Sequence, residues 1–277
     1  MTPTPGTVEV HGHRGARGLS PENTLPGFAH ALTLGVDTIE LDVGWTADGV
    51  LVLNHDQRLS PANLADTAPV RPGDPAFPYV GKPLRELTFE QVRTVEAGLG
   101  PNPLPGTRIP TLDEACALLG PSGVGLSVEL KTDPGWPDGE IARFTSAVVG
   151  VLRAAGLTKR SRLLAFDWRV LLEAPADLGR VALIERRTLG PGTRWLAGLP
   201  PDDPVAAAAS IGATALSPED ALTTPGLVEA AHARGLPVIV WTVNDPDEMT
   251  RFIKYGVNGI VTDHPDRLRR VLRERSA

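Results

Sequence analysis

Short β-branched runs alternate along the chain with amphipathic stretches of helical periodicity, which favours a parallel sheet covered by helices. The predicted strands are Val8–His13, Thr38–Val43, Gly125–Leu130, Arg162–Phe166, Val181–Ile184, Thr214–Leu216, Val238–Thr242 and Gly259–Thr262. The predicted helices are Thr24–Leu34, Leu112–Leu119, Gly139–Ala155, Trp168–Ala174, Trp195–Gly198, Pro204–Ile211, Pro225–Arg234, Pro246–Tyr255 and Pro265–Arg275. Only one of the two helices between 190 and 211 is expected to form. Eight strands, each followed by a helix, is the pattern of a (β/α)8 TIM barrel of the α/β class.

One further β-rich run, Leu51–His55, follows the second strand with no helix between them. The intervening Ala47-Asp48-Gly49 is a hairpin signal, so we predict an antiparallel extension of that strand. The Pro- and Gly-rich segment 57–110, called the insertion below, has one modest helical run, Thr88–Ala97. We predict a single barrel domain over residues 1–277, with the insertion after the hairpin at one mouth of the barrel. Just beyond it, Thr111 and Glu114 have capping-box spacing.

Composition narrows the class of protein. The chain has 277 residues, 42% of them apolar and 22% charged, which is typical of a soluble globular protein. The single cysteine, Cys116, excludes an internal disulfide framework and a Cys-rich metal site. A net charge of -6 argues against nucleic acid as a partner. No apolar run is long enough to span a membrane, and Met1–Val10 does not resemble a leader peptide, so we expect a cytoplasmic protein.

Polar residues interrupt the strands near their carboxyl ends, although buried parallel strands are normally apolar. The interrupted ends are His11-Gly-His13-Arg14, Glu40-Leu-Asp42, Asn54-His55-Asp56 and Glu129-Leu-Lys131. In a (β/α)8 barrel, the face at the carboxyl ends of the strands carries the chemistry. The sequence therefore predicts an active site built from these four ends.

Glu40 and Asp42 are two residues apart and point to the same side of their strand, and so do Glu129 and Lys131. Converging carboxylates repel one another, so a positive group is required among them. An all-oxygen set favours one hard divalent cation, Mg²⁺ or Ca²⁺, over zinc. The alternative is that Glu40 and Asp42 pair with Arg14 and Lys131 and that no metal binds.

Two histidines from different strands, His13 and His55, are expected at the same mouth as an acid/base pair. Arg14 and Lys131 are suited to an anionic group such as a phosphate. The remaining histidines, His11, His30, His232 and His264, are interpreted as structural.

Four further polar or aromatic residues leave two interpretations each. Glu22 and Asn23 support the site or belong to the cap of the first helix, where Thr24 also fits. Asp263 is interpreted as a structural ion pair or cap. Trp241 either packs over the barrel or contacts substrate.

The chain resembles the glycerophosphodiester phosphodiesterases in motifs that run from residue 13 to residue 265. They are His13-Arg-Gly-Ala, Pro21-Glu-Asn-Thr, Glu40-Leu-Asp-Val, Thr46, Asp48-Gly, Val52-Leu-Asn-His-Asp, Ile109-Pro-Thr-Leu, Glu129-Leu-Lys, Phe166-Asp, Trp241-Thr-Val-Asn and Thr262-Asp-His-Pro. The resemblance implies a metal-dependent hydrolase with a (β/α)8 fold, which cleaves a glycerophosphodiester to sn-glycerol 3-phosphate and an alcohol. It leaves the nucleophile open between the glycerol 2-hydroxyl, through a cyclic phosphate, and water.

By position, the resemblance also implies a role for each candidate residue. The matched metal ligands are Glu40, Asp42 and Glu129; the acid/base pair is His13 and His55; the phosphate-binding residues are Arg14 and Lys131; and the apolar residues near the substrate are Phe166 and Trp241. The insertion matches the one that separates this family from the phosphatidylinositol-specific phospholipases C. Arg17 lies where smaller residues are frequent in the family, and it could bias the choice of substrate.

Three alternatives compete with this interpretation. A lysophospholipase D-type enzyme acting on a lipid would use an apolar access surface, for which the insertion offers Phe77, Tyr79, Leu84 and Leu87. A phosphodiester-binding protein without activity would be expected to lack part of the polar set. A glycosidase would need two carboxylates across an open cleft, without the histidine pair.

Overall fold

Eight parallel strands form a barrel in the computed structural model of the chain, which describes residues 8–276. With the antiparallel β3, the strands are β1 (Glu9–Gly12), β2 (Thr38–Trp45), β3 (Leu51–Leu53), β4 (Gly125–Leu130), β5 (Ser161–Ala165), β6 (Gly179–Ile184), β7 (Ala215–Pro218), β8 (Ile239–Val240) and β9 (Gly259–Thr262). Their order is β7-β6-β5-β4-β2-β1-β9-β8, and β3 pairs with β2 in antiparallel fashion. Parallel bridges between Leu216 and Val238 and between Glu219 and Trp241 join β7 to β8. The predicted fold class and the hairpin are confirmed.

Helices connect the strands on the outside of the barrel. They are α1 (Leu25–Thr33), α2 (Phe89–Arg93), α3 (Leu112–Leu119), α4 (Asp138–Ala154), α5 (Arg169–Glu173), α6 (Pro204–Ser210), α7 (Pro225–Ala233), α8 (Pro246–Tyr255) and α9 (Pro265–Ser276). Of the two helices predicted between 190 and 211, the one at 204 forms. Trp195–Gly198 forms turns instead, because Ala197 and Gly198 adopt φ values of +53° and +81°, which end a helix.

The insertion has an apolar core of its own, separate from that of the barrel. Buried side chains from both ends and the middle of the segment, among them Leu59, Tyr79, Val92 and Ile109, pack together there with Val52 of β3. The helix predicted at Thr88–Ala97 is shorter, as α2, because the chain after it pairs with neighbouring segments. The Arg85 guanidinium lies 4.2 Å from the centre of the Trp136 ring in the β4–α4 loop. The insertion is therefore packed on the barrel at the carboxyl end of β4.

The interior of the barrel is divided into an apolar half and a polar half. Inward-facing side chains of β5 to β9 form one apolar cluster: Leu164, Val181, Leu183, Ala215, Ile239 and Val261. On β1, β2 and β4 the inward positions are polar. At the closed end, the buried His11 lies 2.8 Å from Glu9, and Glu9 accepts hydrogen bonds from Arg162, so His11 is structural as expected.

Within residues 8–276, no helix has the length and apolar character needed to cross a membrane. Residues 1–7 lie outside the described residues. They hold most of Met1–Val10, the stretch for which no leader was predicted.

The predicted capping box at the start of α3 also ties the insertion to the barrel. Thr111 Oγ1 accepts a hydrogen bond of 3.1 Å from Glu114 N, and Glu114 Oε2 accepts one of 2.8 Å from Thr111 N. Two nitrogens of Arg93, on α2, donate to the same carboxylate at 2.6 Å. The Arg93 hydrogen bonds are the largest cause of the low pKa of Glu114, about 2.

Replacement of Glu114 by Gln keeps the capping geometry and removes the charge that Arg93 contacts. Both side chains are more than a third exposed, so solvent screening limits the expected loss of unfolding free energy to about 1 kcal/mol at pH 7. The folded-state pKa is depressed, so this contribution is complete above pH 4.5 and is lost as the pH falls through about 2. Urea unfolding of both proteins at pH 7 and near pH 3 measures it. A difference that grows at the lower pH would contradict the assignment.

Candidate active site

Three carboxylates meet at the carboxyl-terminal face of the barrel. Glu40 and Asp42 extend from β2, and Glu129 extends from β4, where it lies beside Asp42 in the register. One oxygen of each lies within 4.8 Å of the others. Glu40 and Asp42 are almost fully buried, and 12% of the Glu129 side chain is exposed. Two neighbouring parallel strands thus bring the predicted acidic set together.

Two positively charged side chains lie among these carboxylates. Lys131 Nζ is 2.6 Å from Glu129 Oε1 and 3.5 Å from Asp42 Oδ1, and Arg14 Nε is 3.3 Å from Asp42 Oδ2. Burial raises the pKa of Asp42, but Lys131 and Arg14 outweigh it and hold that pKa below its ordinary value. Glu40 receives a hydrogen bond of 2.8 Å from the backbone N–H of Arg14. Burial, with the charges of Asp42 and Glu129, raises the pKa of Glu40 well above its ordinary value.

The donor set fits a hard divalent cation. The ion pairs of Asp42 with Arg14 and Lys131 exist, as the metal-free alternative predicted, but two cations face three carboxylates. The buried Asp42 Oδ1 has no hydrogen-bond partner, and burial also raises the pKa of Glu129. Oxygen ligands at this spacing suit Mg²⁺ or Ca²⁺. Within residues 8–276, no other group of three potential ligand side chains lies this close together.

The two candidate histidines flank the carboxylates. His13 follows β1, and its Nε2 lies 4.0 Å from Glu40 Oε2. His55 follows β3, and its Nδ1 lies 2.7 Å from Asp56. Burial lowers the pKa of both rings, in His55 to about 4. With Nδ1 engaged by a carboxylate in each ring, Nε2 is the nitrogen left for proton transfer.

Asp263 has a more specific partner than the sequence predicted. Its Oδ1 lies 2.6 Å from His13 Nδ1, and its Oδ2 accepts a hydrogen bond of 2.8 Å from Asn244. The expected ion pair is present, but it fixes the orientation of a candidate catalytic ring. Asp263 follows β9, the barrel neighbour of β1, so the rule of strand ends that selected the other residues could have selected it as well.

Glu22 and Asn23 contact the site, while Thr24 caps the next helix, so both interpretations hold. Glu22 Oε1 accepts a hydrogen bond of 2.8 Å from Arg14 Nη1. Asn23 donates to Asp42 Oδ2 at 2.8 Å and accepts from the backbone N–H of Asp42 at 3.2 Å. Thr24 Oγ1 accepts a hydrogen bond of 3.1 Å from Gly27 N at the start of α1.

An aromatic pair forms part of the wall of the mouth. Phe166 follows β5 and Trp241 follows β8; their ring centres are 5.5 Å apart with planes at 75°. The Trp241 indole N–H donates to the Ser217 carbonyl at 3.0 Å. Both rings pack on the apolar half of the barrel interior. All nine residues predicted for the site therefore lie at the same end of the barrel.

The model of the glycerophosphoryl diester phosphodiesterase family matches residues 13–267. The chain belongs to this family. A glycerophosphodiester phosphodiesterase from Caldanaerobacter subterraneus subsp. tengcongensis is 29% identical over 274 residues, which cover 96% of this chain and 98% of that protein. The resemblance predicted from the motifs is confirmed.

Solved structures share the fold of this chain. A Silicibacter pomeroyi protein assigned to the glycerophosphoryl diester phosphodiesterases has a TM-score of 0.87 and 32% identity, covering 99% of this chain and 96% of its own. An Oleispira antarctica phosphodiesterase, solved in complex with the product sn-glycerol-3-phosphate, has a TM-score of 0.75 and 21% identity, covering 96% of each chain. At that identity the second likeness extends to the fold alone.

A divalent cation is expected to stabilise the folded protein if the carboxylates bind it. At a concentration 100 times its dissociation constant, it should raise the melting temperature by about 5–10 °C. Thermal unfolding in EDTA, and then with Mg²⁺ or Ca²⁺ in excess, measures the shift. Glu129→Gln should lose most of it, while Glu114→Gln, which removes a carboxylate outside the site, should keep it. An equal shift in both variants would contradict this assignment.

Proposed function

We propose that the protein is a metal-dependent glycerophosphodiester phosphodiesterase that releases sn-glycerol 3-phosphate and an alcohol. The observation that carries this proposal is the meeting of three carboxylates, two cations and two histidines at the catalytic face of the barrel. The relatives named above support the reaction, and the product bound by the Oleispira antarctica enzyme is the one that we propose. Cleavage of a phosphodiester requires charge compensation, binding of the anion and proton transfer, and the three kinds of side chain can supply them.

In this proposal Glu40, Asp42 and Glu129 hold one Mg²⁺ or Ca²⁺. When bound, the cation acts as a Lewis acid on a phosphate oxygen and lowers the pKa of a coordinated hydroxyl. Arg14 and Lys131 bind the other phosphate oxygens and compensate their charge in the ground state and in the transition state. Their contacts with Asp42 hold the Arg14 guanidinium and the Lys131 ammonium group beside the carboxylates before substrate binds.

His13 and His55 share the two proton transfers: one ring takes the proton from the nucleophile, and the other protonates the departing alcohol oxygen. Burial lowers the pKa of both rings in the free protein, which suits the ring that accepts a proton; the ring that protonates the alcohol must carry a proton on Nε2 when it donates. Asp263 is a positioning residue, since its contact with Nδ1 directs Nε2 of His13 towards Glu40. Phe166 and Trp241 contact the carbon atoms of the substrate.

The lipid alternative finds no support in the insertion. Three of the four residues that were to form its apolar surface, Tyr79, Leu84 and Leu87, are buried in the core of the insertion. Leu104 and Leu172, the large hydrophobic side chains exposed in the described part of the chain, belong to neither that set nor the aromatic pair. These observations favour a small, water-soluble diester over a lipid as the substrate.

Release of sn-glycerol 3-phosphate from glycerophosphocholine by the purified protein tests this proposal. We expect EDTA to abolish the release and Mg²⁺ or Ca²⁺ to restore it, because the carboxylates require a cation. The ethanolamine, inositol and glycerol diesters serve as further substrates. An absence of turnover on all four with either cation would refute the proposed function.

The same assay separates the two nucleophiles. A diester with a simple alkyl group in place of glycerol has no 2-hydroxyl, so the route through a cyclic phosphate predicts that it is not cleaved. Rapid hydrolysis of this compound would instead assign the attack to water.

His13→Ala and His55→Ala should each lower kcat on the order of 10²-fold or more, because each removes one proton-transfer group. Asp263→Asn should lower kcat in the same direction but by less, since it leaves the His13 ring in place without its partner. His232→Ala is the matched control: this exposed ring contacts Asn258 on the outside of the barrel. Steady-state kinetics with glycerophosphocholine measure all four. Full activity of either histidine variant of the site would refute its role.

A further inference from the structure

Two side chains of the insertion contact Glu22, which is the partner of Arg14, and the main chain of Lys131. Asn63 Nδ2 donates a hydrogen bond of 3.0 Å to Glu22 Oε1, the same oxygen that receives Arg14 Nη1 at 2.8 Å. Gln57 Nε2 donates a hydrogen bond of 2.6 Å to the backbone carbonyl of Lys131. Sequence separations of 41 and 74 residues mean that neither contact is local.

The orientation of Arg14 depends on Glu22. The backbone of Arg14 has a φ of +50°, which is uncommon for a residue other than glycine, and its side chain is 9% exposed. Its Nε is beside Asp42, so Glu22 is the partner that fixes the other end of the guanidinium. Glu22 in turn is held at Oε1 by Asn63 and lies 3.5 Å from Arg17 Nε through Oε2.

Lys131 is fixed through its backbone. It follows the last residue of β4, and its N–H donates to the Val43 carbonyl at 3.0 Å. Gln57 Nε2 donates a hydrogen bond to the Lys131 carbonyl. Its ammonium group is therefore presented to Glu129 and Asp42 from a main chain that is hydrogen-bonded on both sides.

We propose that the insertion is a positioning element for the two phosphate-binding cations, with Asn63 acting on Arg14 through Glu22 and Gln57 acting on Lys131. This inference rests on the proposed function, because it takes Arg14 and Lys131 as the groups that bind phosphate. Attachment of the insertion to the barrel does not require these two contacts: its own core and the Arg93–Glu114 pair also hold it in place. Asn63 and Gln57 are positioning residues that need not touch the substrate.

Asn63→Ala is the principal test. Since Arg14 grips the phosphate in both the ground state and the transition state, KM should rise about tenfold while kcat changes by less than threefold. The control is Asn102→Ala: Asn102 also lies in the insertion and donates to the Leu19 carbonyl at 2.9 Å, without a contact to Glu22. Its φ of +49° is unfavourable for alanine, so this variant should loosen the insertion while the contacts from Asn63 to Glu22 and from Glu22 to Arg14 stay in place. An equal rise in KM in both variants, or none in Asn63→Ala, would overturn the inference.

A double-mutant cycle distinguishes an action of Asn63 through Glu22 from a general structural effect. In a Glu22→Ala background Asn63 has lost its acceptor, so Asn63→Ala should then change KM by less than twofold. Gln57→Ala acts on the other cation, and its effect on KM should multiply with that of Asn63→Ala. A tenfold effect of Asn63→Ala that persists without Glu22 would show that Asn63 does not act through it.

A binding measurement keeps this inference separate from the reaction. Calorimetric titration with inorganic phosphate in the presence of Mg²⁺ should show about tenfold weaker binding by Asn63→Ala than by the wild type and by Asn102→Ala. Should the wild type cleave no diester, the proposed function fails, yet this ratio still decides the role of the insertion. Equal phosphate affinity in all three proteins, or no binding by the wild type, would overturn it.

Discussion

The repulsion among Glu40, Asp42 and Glu129 is the constraint on which the rest of the site depends. Their oxygens lie within 4.8 Å of one another, and each pair of charges at about 5 Å repels by about 3 kcal/mol at an effective dielectric constant near 20. Arg14 and Lys131 offset part of this repulsion, which accounts for their positions. The polar half of the barrel interior on β1, β2 and β4 follows from the same need, while β5 to β9 supply an ordinary apolar core.

Three groups at the mouth are each held by a polar side chain: two of these partners come from another part of the chain, and Glu22 comes from the same loop as Arg14. Asp263 fixes His13 from β9, Asn23 fixes Asp42 from the β1–α1 loop, and Glu22 fixes Arg14. A set of charges this close could not keep one arrangement without such partners, because each side chain has alternative ion pairs within reach. The insertion extends this principle, since Asn63 donates to Glu22 and Gln57 donates to the Lys131 carbonyl.

The sequence predicted the barrel and the common position of the polar candidate residues because both follow from local rules, whereas Phe166 was predicted only from the family resemblance. Alternation of element types sets the fold, and residues two apart near the end of a strand share the same mouth. The partners of Asp263 and the contacts of Asn63 and Gln57 could not be predicted, because loop geometry decides them over long separations. The helix predicted at Trp195–Gly198 does not form, because one helical turn is too short to outweigh its flanking proline and glycine residues.

The most direct test of the proposed metal and phosphate site is a crystal structure of the protein grown with CaCl2 and sn-glycerol 3-phosphate. We expect one Ca²⁺ bound by oxygens of Glu40, Asp42 and Glu129 at about 2.3–2.6 Å, with the phosphate against that ion, Arg14 and Lys131. Glycerol phosphate bound elsewhere, or carboxylates neutralised by Arg14 and Lys131 alone at saturating calcium, would contradict it.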